Sequence, residues 1–348
     1  MNISLGIAIA LSLLMLSFPT SDHAPISGEK GTLVVVNQKE HNVLFVEPGL
    51  NRKFATISVG VNGHEVAVSP DGRFAYVPIY GNSGVGKPGT DGATIDVIDI
   101  GKRQVSASIE LGKPLRPHRA EFGPGGLLYV SAELGSAIDI VDPSTQKVVG
   151  EIPTGAQQSH MFVFSPDRSR AYTSNVGAGS VSVLDVPGRR LITVIPVAKT
   201  IQRISMSTDG RRVFTHDQDS PRLAVIDVAD GKNANGPVPA REVNTWIDLP
   251  GIAFASEPTP DGKWLLAASM KNHFLLAIDL ATMKIVKTFD LPDSPSEILV
   301  RPDGAVAFVS CLSGKIAVLD LLTWKLRESI DLTAGVDGLA WIPADTGR

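Results

Sequence analysis

A chain of 348 residues that is 43% hydrophobic and 20% charged carries enough apolar material for a large core and lacks the bias of a disordered segment. Its net charge of −4 leaves no basic surface, which excludes nucleic acid as an expected partner. The lone cysteine, Cys311, excludes an intrachain disulfide, so packing must hold the fold.

In chain order, residues 3–18 are nearly all apolar and run into the polar stretch Pro19-Thr20-Ser21-Asp22-His23. The run is short for a spanning helix and suits the core of a secretory signal, so residues 1–25 read as a signal peptide. No Lys or Arg precedes it and no small-x-small cleavage site follows, which keeps an N-terminal anchor as the alternative. No cysteine follows the run, so lipid attachment there is excluded. Export to the periplasm or the extracellular space is the expected location, with no membrane association beyond such an anchor, and a monomer is expected.

From residue 31 onward one pattern recurs. An apolar-alternating strand leads to a Pro-Asp-Gly-like turn. A second strand rich in Tyr, Val and Phe follows, then a polar loop, a third strand ending in Asp, and a fourth ending near Gly or Pro. The clearest copy runs from His64 through Ser69-Pro70-Asp71-Gly72, Phe74-Ala75-Tyr76-Val77 and Ile95 to Asp99, and ends with 105–111. The turn returns at Pro124, Pro166, Thr208, Pro260 and Pro302. Asp-Gly between alternating runs is a strong hairpin signal because the turn needs positive φ. The third-strand ending returns at Asp99, Asp142, Asp185, Asp227, Asp279 and Asp320, roughly 41–52 residues apart, the spacing of four-stranded propeller blades. Each of these carboxylates is expected to cap the turn that follows it. The 33 glycines and 24 prolines, spread evenly, fit so many turns.

The stretches SPDGRFAYV, SPDRSRAYTSN and VSVLDV resemble YVTN β-propeller repeats, and the resemblance covers residues 31–343. It implies an all-β, seven-bladed β-propeller of four-stranded blades and says little about activity, since one fold hosts many functions. Six full repeats begin near residues 64, 118, 160, 202, 254 and 296. The chain opens with three strands lacking a first (33–59) and closes with a first strand lacking successors (338–343). Pairing the two makes a seventh blade and removes two exposed edges. Insertions lengthen the loop 81–92 of the first full blade and the stretch 231–242 of the fourth.

In a propeller the first strand of each blade lines the central channel. The position five residues before the Ser of Ser-Pro-Asp-Gly reads His64, His118, His160, Gln202, Phe254, Ser296 and Asp337. Three consecutive blades therefore present histidine at one mouth, from only seven histidines in the chain. Three neutral imidazoles with an open position suit a transition metal such as Cu, Zn or Fe. Without a metal, the same ring suits an anion or supplies a base near neutral pH. Arg116 flanks the ring, and alternation sends Glu65, Arg119 and Arg203 away from the channel. Glu257 and Glu297 lie near the ring in less secure register. The second-strand ends add Tyr80, Glu133, Asn175, His216, Asp217 and Cys311 to the same face. The 81–92 loop, beside His64 and His118, is placed to act as a lid. Loop hydrogen bonding is the competing role for Glu133, Asn175 and His216. Cys311 reads as a small buried residue, and Trp246, Trp264, Trp324 and Trp341 read as core.

No Cys-x-x-Cys-His is present, which excludes covalently attached haem, and no P-loop, dinucleotide fingerprint or nucleophile elbow occurs. Two functions remain. One is an exported binding or scaffold protein presenting a His-lined channel mouth to a small ligand, metal or partner protein. The other is a metal-dependent or acid/base enzyme at the same mouth, hydrolase-like or oxidoreductase. Architecturally similar propellers include carboxymuconate-type lactonising enzymes, the haem domain of cytochrome nitrite reductases and copper-dependent selenium-binding-like oxidases. None of their catalytic residues can be matched here position by position.

Overall fold

The recurring Ser/Thr-x-Asp-Gly turns set the geometry. Gly72 donates its amide to the Ser69 carbonyl at 2.8 Å and takes a φ of 70°, a region glycine enters without steric cost. The Asp71 carboxylate accepts from the Ser69 hydroxyl at 2.6 Å and from the Arg73 amide at 3.1 Å. The same hydroxyl–carboxylate pair recurs at Ser165–Asp167, Ser207–Asp209 and Thr259–Asp261. The third-strand aspartates cap the following turns as expected. Asp99 accepts from the Lys102 amide, Asp142 from Ser144, Asp185 from Gly188, Asp279 from Ala281 and Asp320 from Leu322. Asp227 departs from this: its own amide donates to Asn244 instead.

The structure, a computed structural model, describes residues 30–85, 87–228 and 242–344. The apolar N-terminal run, Gly86 of the long loop and nearly all of the 231–242 insertion lie outside the described residues. Seven antiparallel sheets form, one for each blade. Blade 1 holds the strands Ala67–Val68, Phe74–Gly81, Asp91–Asp99 and Gln104–Glu110. The outer edge of blade 6 is split between Lys325–Leu326 and Ile330–Asp331. Blade 7 is composite: Gly31–Asn37 pairs with Val336–Pro343, placing Val34 opposite Ala340 and Val35 opposite Leu339. This is the predicted ring closure, with each partner strand starting two residues earlier than expected. Among the described residues no helix is long and apolar enough to cross a membrane.

The core follows from this arrangement. Seven hydrophobic clusters are found among the described residues, each joining two neighbouring blades. The cluster across the closure contains Val35 and Leu339 with Phe308 and Val318 of blade 6. Val35 is fully buried, so Val35→Ala is expected to lower stability by about 2 kcal/mol, as measured by urea denaturation. All four tryptophans are half-buried, and the core role expected of them holds for Trp324 and Trp341. Trp264 and Trp324 meet edge to face at 5.3 Å, while Arg222 covers Trp246 at 3.9 Å and Arg301 covers Trp341 at 5.3 Å. Trp324 and Trp341 also pack against the core clusters between blades 5 and 6 and between blades 6 and 7.

Candidate functional site

At the ring positions the innermost ladders are irregular. In blades 2, 3 and 6 the first strand shifts register between Pro117 and Ala120, Ser159 and Met161, and Pro295 and Glu297. In blades 1, 4 and 5 that strand begins only at Ala67, Ile204 and Ala255, after the ring residue. Alternation therefore fails at the mouth. The expectation that Glu65, Arg119 and Arg203 face away from the channel is overturned. Arg203 of blade 4 reaches Glu65 of blade 1 at 3.1 Å, Glu297 of blade 6 at 2.6 Å and Asp337 of blade 7 at 3.3 Å. Arg119 lies 3.9 Å from both Glu65 and Glu297 and 3.6 Å from Glu121. These side chains span the channel, so the mouth has a charged floor.

Beside this floor the three histidines come together. Their ring centroids lie 4.7 Å apart for His64 and His118 and 3.8 Å apart for His118 and His160. His64 Nδ1 donates to Asp337 at 3.0 Å, and His160 Nδ1 donates to Glu133 at 3.1 Å. A carboxylate can only accept, so both Nδ1 atoms carry a proton. His118 Nδ1 is buried with no hydrogen-bond partner. The closure positions Asp337: the Gly338 amide donates to the His64 carbonyl at 2.9 Å, and a Cβ at 338 would lie 2.2 Å from that oxygen.

Tyr80 and Arg116 complete the cluster. The Tyr80 hydroxyl donates to Glu133 at 2.8 Å, and its ring meets His64 at 5.1 Å and His118 at 5.6 Å. Arg116 lies 3.5 Å from Glu133 and over the Tyr80 ring. It also holds the long loop, donating to Asp91 at 2.6 Å, the Gly84 carbonyl at 3.1 Å and the Lys87 carbonyl at 2.8 Å. The second and third strands of blade 1 run further than the sequence implied, to Gly81 and from Asp91, which narrows the loop to residues 82–90. His64, with 19% of its side chain exposed, is the most open histidine of the three.

Burial sets the protonation states. It lowers the His118 pKa well below the ordinary range, and the neighbouring His160 and His64 lower it further. Burial also lowers His160, with Glu133 opposing only in part. Burial raises Glu133, but the bonds from His160 and Tyr80 outweigh it and the carboxyl ends below its usual value. In Asp337 burial is likewise outweighed, by His64 and Arg203. His118 and His160 are thus neutral at pH 7 beside ionised carboxylates. In the floor, burial and Glu297 raise Glu65, and burial pushes Glu257 up to about 8.

The remaining predicted residues lie elsewhere. Asn175 is bound within blade 3, accepting from Ser159 and Thr173 and donating to Ser180 and Ser182. His216 is fully buried, with both ring nitrogens unpartnered and a pKa pushed to about 3 by burial and Arg203. Gln202, the ring residue of blade 4, lines a cleft between blades 3 and 4. The Asp217 carboxylate accepts from the Asp219 and Ser220 amides. Cys311 is buried with its thiol pushed up to about 11 by burial. Among the described residues no group of three His, Cys, Asp or Glu is placed to hold a metal ion. His64, His118 and His160, the set expected for a metal centre, are not among such groups. The sequence also gave no reason to single out Ser131 and Ser174. Each donates to the carbonyl of the next blade's ring residue, Ser131 to His160 at 2.6 Å and Ser174 to Gln202. Their shared register with His216, at the same place in the second strand, is the signal that would have found them.

Fold and repeat together make this chain a seven-bladed β-propeller, with repeats similar to the YVTN type. No protein-family model matches it. It is 24% identical over 222 residues to the uncharacterized protein YncE of Salmonella typhimurium, covering 62% of this chain and 58% of YncE. It is 31% identical over 126 residues to the seven-bladed beta-propeller protein Rv1057 of Mycobacterium tuberculosis, 36% of this chain and 29% of that one. A third relative is the dihydro-heme d1 dehydrogenase of Pseudomonas aeruginosa, 27% identical over 221 residues, 60% of this chain and 43% of the enzyme. The chain thus spans less than two thirds of the length of the curated relatives it matches. Among solved structures, the periplasmic gluconolactonase PpgL of Pseudomonas aeruginosa superposes with a TM-score of 0.67 at 18% identity, over 90% of this chain and 99% of that one.

Proposed function

We propose that this propeller is a binding protein that takes a small polar ligand at its histidine-lined channel mouth, outside the cytoplasm. The observation that carries this reading is the buried imidazole cluster. His118 Nδ1 lacks a partner, and the Nδ1 atoms of His64 and His160 are held by carboxylates. Buried polar atoms are nearly always paired, and an unpaired one costs about 1–3 kcal/mol. A ligand offering a hydrogen-bond donor or acceptor to this cluster relieves that cost. The apolar segment 3–18 and the likeness to a periplasmic propeller support the location. D-gluconate and its 1,5-lactone are suitable probes, and calorimetry should detect binding by the wild-type protein. His160→Ala should lose it. Wild-type protein that binds neither probe sinks this reading.

A second reading has its own support in a carboxylate–imidazole pair. Glu133 fixes the proton of the neutral His160 on Nδ1, which leaves its Nε2 lone pair able to accept a proton. A water deprotonated by His160 adds its oxygen to a lactone carbonyl carbon. Collapse breaks the ring C–O bond, and the imidazolium returns the proton to the departing oxygen, giving the hydroxy acid. Glu133→Gln should then lower opening of D-glucono-1,5-lactone about 100-fold, measured against spontaneous hydrolysis. A rate in the wild type equal to buffer alone removes this reading and leaves binding intact.

A further inference from the structure

Beside the histidine ring, between blades 3 and 4, opens a cleft of about 550 Å³, within the size range of small-molecule sites. Gln158, Lys199, Thr200, Gln202 and Gln218 line it, together with Val85 of the long loop. Its chemistry differs from that of the channel floor. No carboxylate lines it. Lys199 is exposed and forms no ion pair among the described residues. The side chains of Gln158, Thr200 and Gln202 make no hydrogen bond among the described residues, and Gln218 uses only its amide nitrogen, on the carbonyls of Ala253 at 3.1 Å and His216 at 3.5 Å, which leaves its amide oxygen free. Glycine at 177 leaves room for the Gln158 amide, because a Cβ there would lie 2.7 Å from its Oε1. One ammonium group, three amides and a hydroxyl with free hydrogen-bonding capacity therefore line a single concave surface.

The cleft adjoins the ring directly. Gln202 is the ring residue of blade 4 and lines the cleft, and Gln158 lies two residues before His160. Amides and hydroxyls both donate and accept, which matches hydroxyl groups on a ligand. A lysine in a wall without carboxylates favours negative charge.

We propose that this cleft seats the carboxylate end of a hydroxylated acid, with Lys199 as its charge partner, while the rest of the molecule reaches the histidine ring. This deepens the ligand-binding reading above and rests on it for the ring half of the contact. The test compares D-gluconate with D-glucitol, the uncharged polyol of equal length, by calorimetry at low ionic strength. The wild type should bind gluconate at least tenfold more tightly than glucitol. Lys199→Ala should lower gluconate affinity about tenfold and leave glucitol binding unchanged. Lys199 is exposed, so the variant keeps its fold, and Lys199→Met repeats the test with the side-chain stem retained. Equal affinity of gluconate and glucitol in the wild type overturns the proposal, as does undiminished gluconate binding in both Lys199 variants. His160→Ala separates the two readings. If it abolishes gluconate binding while the Lys199 variants bind as wild type, the cleft fails and the ring stands. If only the Lys199 variants lose affinity, the cleft stands and the ring reading fails. Absence of gluconate binding in the wild type ends both.

Discussion

Arg203→Met is expected to lower the unfolding free energy by about 3–5 kcal/mol, the usual cost of removing one partner from a buried ion network. Arg203 is 7% exposed and is held by Glu65, Glu297 and Asp337, which come from three other blades. Methionine keeps much of the packing volume but leaves those carboxylates facing one another, with Arg119 no closer than 3.9 Å to either Glu65 or Glu297. Burial and Glu297 already raise Glu65 with Arg203 in place, so without the guanidinium its proton is held more tightly still. A companion variant identifies the cause. If repulsion dominates, Arg203→Met combined with Glu297→Gln should recover part of the loss, because one of the uncompensated charges is gone. Urea denaturation of the two variants decides the matter. A single variant as stable as wild type would mean that channel water already screens these charges.

The architecture was legible because it repeats. Ser-Pro-Asp-Gly turns and strand-ending aspartates recur at blade spacing, and each is a local device: a hydroxyl on a carboxylate, a glycine at positive φ. Ring closure was legible too, since a chain that begins with three strands and ends with one leaves two edges needing each other. The histidine alignment followed from the same periodicity and brought His64, His118 and His160 within ring contact. The rule of alternating faces failed one residue further on. It assumes a continuous ladder, and at the mouth the ladder is bulged or has not yet begun, so Arg119 and Arg203 turn into the channel. Partners such as Arg203 and Glu297, 94 residues apart, meet only because the ring closes, and no local pattern marks them. Asn175 shows the converse: it sits at the expected face, yet four hydroxyls of its own blade occupy its amide. The anchoring of the loop by Arg116 was equally hidden, since two of its three acceptors are backbone carbonyls.

Stability is expected to peak near pH 6.5 and to fall on both sides, for opposite reasons. On the acid side, His118, His160 and His216 have folded-state pKa values below the ordinary 6.5, His216 at about 3. The unfolded chain therefore takes up protons first. The stabilising contribution of these groups is complete above pH 6.5 and is lost as pH falls toward each folded value. Each removes about 1.4 kcal/mol per pH unit over its window. On the alkaline side Glu257 acts in reverse. Its folded value of about 8 lies above the ordinary 4.5, so the folded chain holds the proton longer. Its contribution is complete below pH 4.5 and is lost as pH rises to about 8, and Glu65 adds in the same direction. Just below pH 6.5 three histidines oppose two glutamates, and stability rises with pH. Above 6.5 only the glutamates act, and it falls, with an amplitude tempered by the partial exposure of Glu257 to channel water. Two variants dissect the profile by urea denaturation across pH 5–9. His216→Phe should make the acid limb shallower by about 1.4 kcal/mol per pH unit, because neither ring nitrogen has a partner to lose. Glu257→Gln should flatten the alkaline limb and leave the acid limb steeper. Parallel profiles for wild type and His216→Phe would show that this imidazole titrates as it does in the unfolded chain, with solvent reaching its ring.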